Sequence, residues 1–334
     1  MVEDAPQSGE DRLIARYFRP LATHPGAFGL TDDAATFTPP PGCDVVLKTD
    51  AIVGGIHFFA DDPPSLIAKK ALRVNLSDLA VKGARPAGFL LSLALPATVD
   101  AIWLEAFARG LGEDAQAYGC PLMGGDTDRT DGPLTVAIAA FGTLPTGSMV
   151  RRSGARVGER VVVTGTIGDA ALGLYLRHDP QTAARWRLDP EQSAHLVGRY
   201  LLPQPRNALA SALRQHASAA MDVSDGLAGD LGKLCAVSGV RADIEVERVP
   251  LSQAARTAVA AEPSLIETAL TGGDDYEVLA TVAPGAMPGL AAAAQAAGVA
   301  LTEIGTVRAE GRGANFLDRA GNALLFKQPS FSHF

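Results

Sequence analysis

The chain has 334 residues, 47% of them hydrophobic, so two domains with substantial cores are expected and wholesale disorder is excluded. Charged residues make up 20% and the net charge is −8, which argues against recognition of nucleic acid through a basic surface. A nucleotide substrate remains compatible with that balance, because divalent cations can supply the positive charge.

"GEDRLIARYFRPLA" reads as a short amphipathic helix with Leu13, Ile14, Tyr17 and Phe18 on one face. "DVVLKTDAIVGGIHF" reads as one or two strands rich in Val and Ile. "PPSLIAKKALRVNLSDLAVKGARP" reads as a helix, capped by Asp61 or Asp62, with Pro63 or Pro64 in its first turn and Gly83 at its end. "GFLLSLALP" is a strand. "DAIWLEAFARGLGEDAQAYG" is a helix with Ile102, Phe107, Leu111 and Ala115 along its stripe, and "LTVAIAAFGTL" is another strand. The polar, glycine-bearing stretch "PTGSMVRRSGARVGE" marks a break, which places domains at 1–147 and 148–334.

The second half opens with "VVVTGTIGDAALGLYL", a strand, a Gly turn and a helix, followed by "AAMDVSDGLAGDLGKLCAVSG", a short strand, a turn and a helix. "DIEVERVPL" and "GDDYEVLATV" are strands, and "GLAAAAQAAG" is a helix before short C-terminal strands. Helices and strands lack the regular alternation of a doubly wound sheet, so both halves read as α+β domains. The three cysteines, Cys43, Cys120 and Cys235, are far apart, which argues against a disulfide framework or structural zinc. No run reaches the roughly 18 apolar residues of a membrane span. "MVEDAPQSGEDRLIARYF" has no apolar signal core, so a soluble cytoplasmic protein with no membrane partner is expected.

Aspartates recur in short gaps: "LTDDAATF", "VLKTDAI", "NLSDLAVKG", "MGGDTD", "AAMDVSDGLAGDL" and "TGGDDYEVL". Each has an ordinary explanation when taken singly, because Asp favours turns and caps. Asp32 and Asp33 suit a turn. Asp78 and Lys82 are spaced for a surface pair worth about 0.3–0.5 kcal/mol. Ser224 or Asp225 suits an N-cap for a helix whose stripe is Leu227, Leu231 and Leu234. Asp128 and Asp131 read as ordinary turn residues. Asp50 is harder to place, since a carboxylate in an apolar strand needs a partner or a cation. The joint pattern points further: carboxylates at element ends can converge on one cleft and hold magnesium together with a nucleotide's phosphates. No G-x-x-x-x-G-K-[ST] or G-x-G-x-x-G supports this, and Gly165 and Gly168 form only a tight turn that could offer backbone N–H groups to an anion.

In order and spacing, "TDDAA", "KTDAIVGGIHF", "ALRVNLSDLAVKGARP", "MGGDTDR", "RRSGARVGE", "VTGTIGDAALGL", "MDVSDGLAGDL" and "GGDDYE" resemble the thiamine-monophosphate kinases, within the superfamily of aminoimidazole ribonucleotide synthetase. The resemblance runs from "GEDRLIARYF" to the terminal "FSHF". It implies a two-domain α+β (mixed α/β) fold, with an N-terminal domain that binds ATP and magnesium and pairs with its copy in a dimeric barrel, and a C-terminal α/β domain. It also implies transfer of the γ-phosphoryl group of ATP to thiamine monophosphate by in-line attack. Carried over motif by motif, Asp33, Thr49, Asp50, Asp78, Asp126, Asp222 and Asp225 would be ligands of several magnesium ions. Gly125, Asp126, Arg152 and Ser224 would contact ATP, and His57, Asp274 and Phe331 would touch thiamine monophosphate. The acceptor phosphate is already ionised, so no general base is assigned and catalysis is expected from positioning and electrostatics.

The chain departs from the family pattern at Thr31, where Gly is usual, at Lys48, where a small hydroxyl residue is usual, and at Asp274, where Glu is usual. These departures bear on backbone approach, on one metal contact and on one substrate contact. Two other readings compete: a different ATP-using enzyme of the same superfamily, and a non-catalytic nucleotide-binding protein. The acidic clusters weigh against the last, because unneeded buried carboxylates carry a desolvation cost.

Overall fold

In a computed structural model that describes residues 8–309 and 311–331, the chain divides into two compact units. One runs up to Leu79 and includes Arg85–Gly147; the other holds Ala80–Ala84 and the chain from Ser148 onward.

The first unit starts with α1 (Gly9–Leu13), whose N-cap Ser8 and Asp11 form a reciprocal capping box. The chain continues in wider and tighter helical turns to Leu21, burying Tyr17 and Phe18. Its sheet contains β1 (Cys43–Val53), β2 (Arg85–Leu95), β3 (Leu122–Arg129) and β4 (Thr135–Pro145) in the order β1-β4-β2-β3. Only β2 and β3 run parallel, and α3 (Ala101–Ala117) is the crossover between them. With α2 (Pro64–Val81), α3 supplies buried residues to the core: Leu72, Leu76 and Leu79 of α2 and Phe107 and Leu111 of α3 are buried, as are Phe89, Leu93, Val136 and Ile138 of the sheet.

Asp100 caps α3 through Trp103 N. The expected stripe of α3 needs one correction. Ile102 is 79% exposed, because it falls outside the arc of Leu104, Phe107, Ala108, Leu111 and Ala115. The acidic "MGGDTD" stretch is strand rather than turn, since Gly124–Arg129 belongs to β3 at the edge of the sheet.

The second unit carries β5 (Arg160–Thr164), β6 (Ala217–Asp222), β7 (Arg241–Glu245), β8 (Val278–Val282), β9 (Leu301–Arg308) and β10 (Gly313–Leu317). Their order is β10-β7-β9-β5-β8-β6, antiparallel except for β10 with β7. Successive side chains alternate between faces, and both faces of the central strands are buried. Val161 and Val163 join the core that includes α8 (Leu227–Ser238), while Val162 joins the core that includes α7 (Ala210–His216) and α11 (Met287–Ala296). A third core packs α4 (Asp169–His178) with α6 (Pro190–Leu201) and α9 (Gln253–Ala261), around the fully buried Trp186. The short helices α5 (Thr182–Arg185) and α10 (Leu265–Thr271) complete this unit. Both sheets are mixed, as the α+β reading expects.

Candidate functional site

In the first unit the candidate residues lie on the sheet and at its edges. Lys48 and Asp50 are two apart on β1 and so share a face. Asp78 of α2 meets them there: Lys48 Nζ lies 3.1 Å from Asp50 Oδ1 and 2.9 Å from Asp78 Oδ2. Burial pulls the ammonium's pKa down, but the charges and hydrogen bonds of Asp78 and Asp50 outweigh that and hold it above the ordinary lysine value. Asp78 is therefore paired with Lys48, while Lys82 donates to Ala220 O.

Thr49 projects to the other face, opposite Ala139. Asp126 does not join Asp50. The row from Asp50 crosses Ile138 and Leu91 to Gly125, one residue short of Asp126. Side chains alternate along a strand, so Asp126 projects from the opposite face, three strand spacings or roughly 14 Å away. Gly125 has a structural reason to be glycine: a Cβ there would collide with the Leu91 carbonyl oxygen. Asp33 is exposed in a loop where its N–H donates to Asp32 Oδ1, and Thr31 Oγ1 donates to Phe28 O. His57 Nδ1 accepts from Val53 N at 3.0 Å, so a neutral ring carries its proton on Nε2.

In the second unit, five candidates gather where β6 turns into α8: Asp222, Ser224, Asp225, Asp274 and Phe331. Asp274 N donates to Ser224 O, and Phe331 N donates to Asp225 O. Asp222, at the end of β6, is buried, whereas Phe331 is 52% exposed. Residues 332–334 of the terminal "FSHF" lie outside the described residues. Arg152 is exposed on a segment that runs beside β6, where Arg151 O accepts from Ala220 N. Asp274 adopts φ 71°, a left-handed backbone uncommon for a residue with a side chain.

The N-cap of α8 is Gly226, not Ser224 or Asp225. The N–H groups of those two residues are taken by Asp230 Oδ2 from inside the helix. Lys233 closes the cluster, with Nζ 2.5 Å from Asp225 Oδ2 and 2.9 Å from Asp230 Oδ1. Burial raises the Asp230 pKa, with the Lys233 bond opposing it. Sequence reasoning passed over Lys233, although its i,i+3 spacing from Asp230 was available as a signal.

The turn at Gly165–Gly168 offers its N–H groups inward. Gly168 N and Ala170 N donate to the buried Asp275 at 2.7 and 3.4 Å, so an internal carboxylate occupies the start of α4. Burial holds the Asp275 pKa well above the ordinary carboxylate value. Two residues on, the buried Glu277 accepts from Arg199, Arg206 and Thr164. In "GGDDYE" the second Asp and the Glu are thus scaffold.

Among the described residues, no group of three or more His, Cys, Asp or Glu is drawn together closely enough to hold a metal. The donors nevertheless suit magnesium, which takes few protein carboxylates and completes its shell with water and phosphate. Asp50 and Asp78 already bracket a cation, the Lys48 ammonium.

Residues 31–144 match the family model "AIR synthase related protein, N-terminal domain", and residues 156–318 match "AIR synthase related protein, C-terminal domain". A thiamine-monophosphate kinase of Caulobacter vibrioides is 42% identical over 311 residues, covering 92% of this chain and 86% of the relative. The crystal structure of thiamine-monophosphate kinase from Stenotrophomonas maltophilia K279a superposes with a TM-score of 0.82 at 37% identity, covering 94% of this chain and 96% of the other. A structure described as "AaThiL complexed with AMPPCP and TMP" superposes with a TM-score of 0.75 at 30% identity, covering 92% and 97%. Motif order, two-unit architecture and near full-length similarity agree: the chain belongs to the AIR synthase related family and, within it, to the thiamine-monophosphate kinases.

Proposed function

We propose that the chain transfers the γ-phosphoryl group of ATP to the phosphate of thiamine monophosphate, giving thiamine diphosphate and ADP by direct in-line attack in the cytoplasm. The observation that carries this reading is near full-length similarity to a chain described in complex with AMPPCP, an ATP analogue, and TMP. Donor and acceptor are both anionic, so their repulsion must be neutralised before attack. Magnesium, when bound, supplies that neutralisation and stabilises charge on the transferred group. Asp33, Thr49, Asp50, Asp78, Asp126, Asp222 and Asp225 are the residues we assign to several such ions.

Gly125, Asp126, Arg152 and Ser224 are assigned to ATP. The exposed Arg152 guanidinium suits bidentate binding of phosphate oxygens. His57, Asp274 and Phe331 are assigned to thiamine monophosphate. The Nε2 proton of His57 suits a phosphate oxygen, and the exposed Phe331 ring suits an aromatic heterocycle. No residue is asked to act as a general base.

We further assign a homodimer. The sheet of the first unit exposes an apolar face: Leu47 is 78% exposed, Leu90 43% and Val45 38%. Such a face on an open sheet suits a second copy of itself. The reaction is tested by ADP release with Mg-ATP, comparing thiamine monophosphate with thiamine, for wild type and Asp126→Ala. Thiamine diphosphate formed from the monophosphate alone, and lost in the variant, is the expected result. A folded protein that binds Mg-ATP but turns over neither acceptor would overturn the substrate assignment.

A further inference from the structure

The two carboxylates best placed to share a cation in the first unit already share one. Lys48 comes from the same strand and face as Asp50, and its ammonium reaches Asp50 Oδ1 at 3.1 Å and Asp78 Oδ2 at 2.9 Å. The three side chains are 29%, 39% and 21% exposed, so solutes can reach the group while the strand and helix hold it in place. A divalent ion bridging these carboxylates would do the same electrostatic work: it would cancel their mutual repulsion and fix their orientation.

The ammonium differs in two ways. It is tethered to the chain, so it is present at every metal concentration, and it carries one charge instead of two. Its three N–H donors match carboxylate oxygens as they would match phosphate oxygens. Two carboxylates with one ammonium leave a net charge of −1 at this place, enough to attract cations but with its central position filled. The absence of any three-ligand acidic cluster among the described residues agrees with a place where the chain brings its own cation.

We propose that the Lys48 ammonium is a resident cation of the Asp50–Asp78 carboxylate pair, standing where one divalent ion would otherwise sit between them; this rests on the metal assignments of the ATP-binding reading above. The chain then binds its metal-nucleotide with one divalent ion fewer than the same carboxylates accept without the ammonium. Lys48 is a positioning residue: it orders two carboxylates before any metal arrives and makes no bond to the reacting atoms.

The test counts Mn2+ bound per chain at saturating AMPPCP, by equilibrium dialysis with metal analysis, for wild type, Lys48→Arg, Lys48→Met and Lys48→Ser. The expected result is one more Mn2+ per chain in Lys48→Met and Lys48→Ser than in wild type, with Lys48→Arg at the wild-type count. Adding Asp50→Asn to Lys48→Met should remove the extra ion. Lys48→Met keeps the aliphatic stem, so the count stays measurable even if Lys48→Ser does not fold. A second readout needs no nucleotide: Mn2+ alone should raise the melting temperature of Lys48→Met more than that of wild type. Equal counts in wild type and the neutral variants, with Mn-AMPPCP bound by all, overturn the role of Lys48 and leave the ATP reading standing. Failure of wild type to bind AMPPCP at any Mn2+ concentration overturns both.

Discussion

Arg199 Nη2 and Glu277 Oε1 lie 2.9 Å apart, with the carboxylate side chain wholly out of water and the guanidinium 8% exposed. Arg206 reaches the same carboxylate through Nε at 2.7 Å and Nη2 at 2.5 Å, and Thr164 donates to it at 2.7 Å. One acid thus anchors strands β5 and β8 to two basic side chains. Removing it leaves two largely buried guanidiniums without a counter-charge, which costs about 3–5 kcal/mol. Glu277→Gln should lower the denaturation midpoint in urea accordingly. A shift of less than about 1 kcal/mol would show that solvent already compensates the cluster.

The Asp169–His195 bond sets a pH dependence. Asp169 Oδ2 lies 3.0 Å from His195 Nε2, and the carboxylate also accepts from Ser252 and Thr166. That bond raises the imidazole pKa above 6.5, against burial and the nearby Arg199. Burial pushes the Asp169 pKa up, but the hydrogen bonds from His195, Ser252 and Thr166 outweigh it and bring it below 3.8. The histidine's contribution is therefore full below pH 6.5 and lost as pH rises through its higher folded value. The aspartate's contribution is present above pH 3.8 and lost as pH falls through its lower folded value. The melting temperature of wild type should decline from about pH 6 to about pH 9 more steeply than that of His195→Gln. The effect is modest, because the imidazole is 44% exposed. Equal slopes for the two proteins would remove the pair from the account.

Gly125→Ala and Gly124→Ala separate scaffold from ligand approach. A Cβ on Gly125 meets the Leu91 backbone, which cannot yield without breaking the pairing of β2 with β3. A Cβ on Gly124 meets only Leu90 Cδ2 at 3.3 Å, the end of a mobile side chain. Gly125→Ala should cost about 1–3 kcal/mol and Gly124→Ala under about 1 kcal/mol, measured by thermal unfolding without nucleotide. Normal stability of Gly125→Ala would make its glycine a requirement of the ligand instead.

Leu47→Glu tests the apolar sheet face. A carboxylate on a 78% exposed position should leave the subunit folded. If that face joins two copies, light scattering after size exclusion should report a monomer for the variant and a dimer for wild type. A variant that stays dimeric places the contact elsewhere.

Most strands were legible because Val and Ile runs such as "VLKTDAIV" and "RVVVT" have no competing local pattern. Helices α6, α9 and α10 lie outside the elements read from the sequence, although α6 carries a local start signal in its Asp189–Gln192 capping box with Pro190 in the first turn; α9 buries only the small Ala254, Ala255 and Ala258, whose helical character depends on the core around Trp186. The motif order gave the family. It did not show that the edge strand β3 turns Asp126 and Asp50 to opposite faces, because strand register is a property of pairing partners distant in sequence. It singled out Asp274 for the substrate but gave no role to its neighbour: Asp274 has the left-handed backbone, and Asp275 is buried under the start of α4.

That last contact has a consequence for how the protein is made. Asp275 satisfies the first turn of α4 across 107 residues of chain. Strand β5, just ahead of it, has both of its sheet partners, β8 and β9, still further on. During synthesis the first turn of α4 and both edges of β5 therefore wait for their partners until more than a hundred further residues have left the ribosome. The first unit can close as soon as Pro145 has emerged, since its last strand ends there. The nascent chain thus passes through an interval in which the leading half is folded and the trailing half exposes a strand with three successive valines, Val161–Val163. In that interval chaperones have most to protect, and truncation after β7 should yield aggregation in place of a smaller soluble unit.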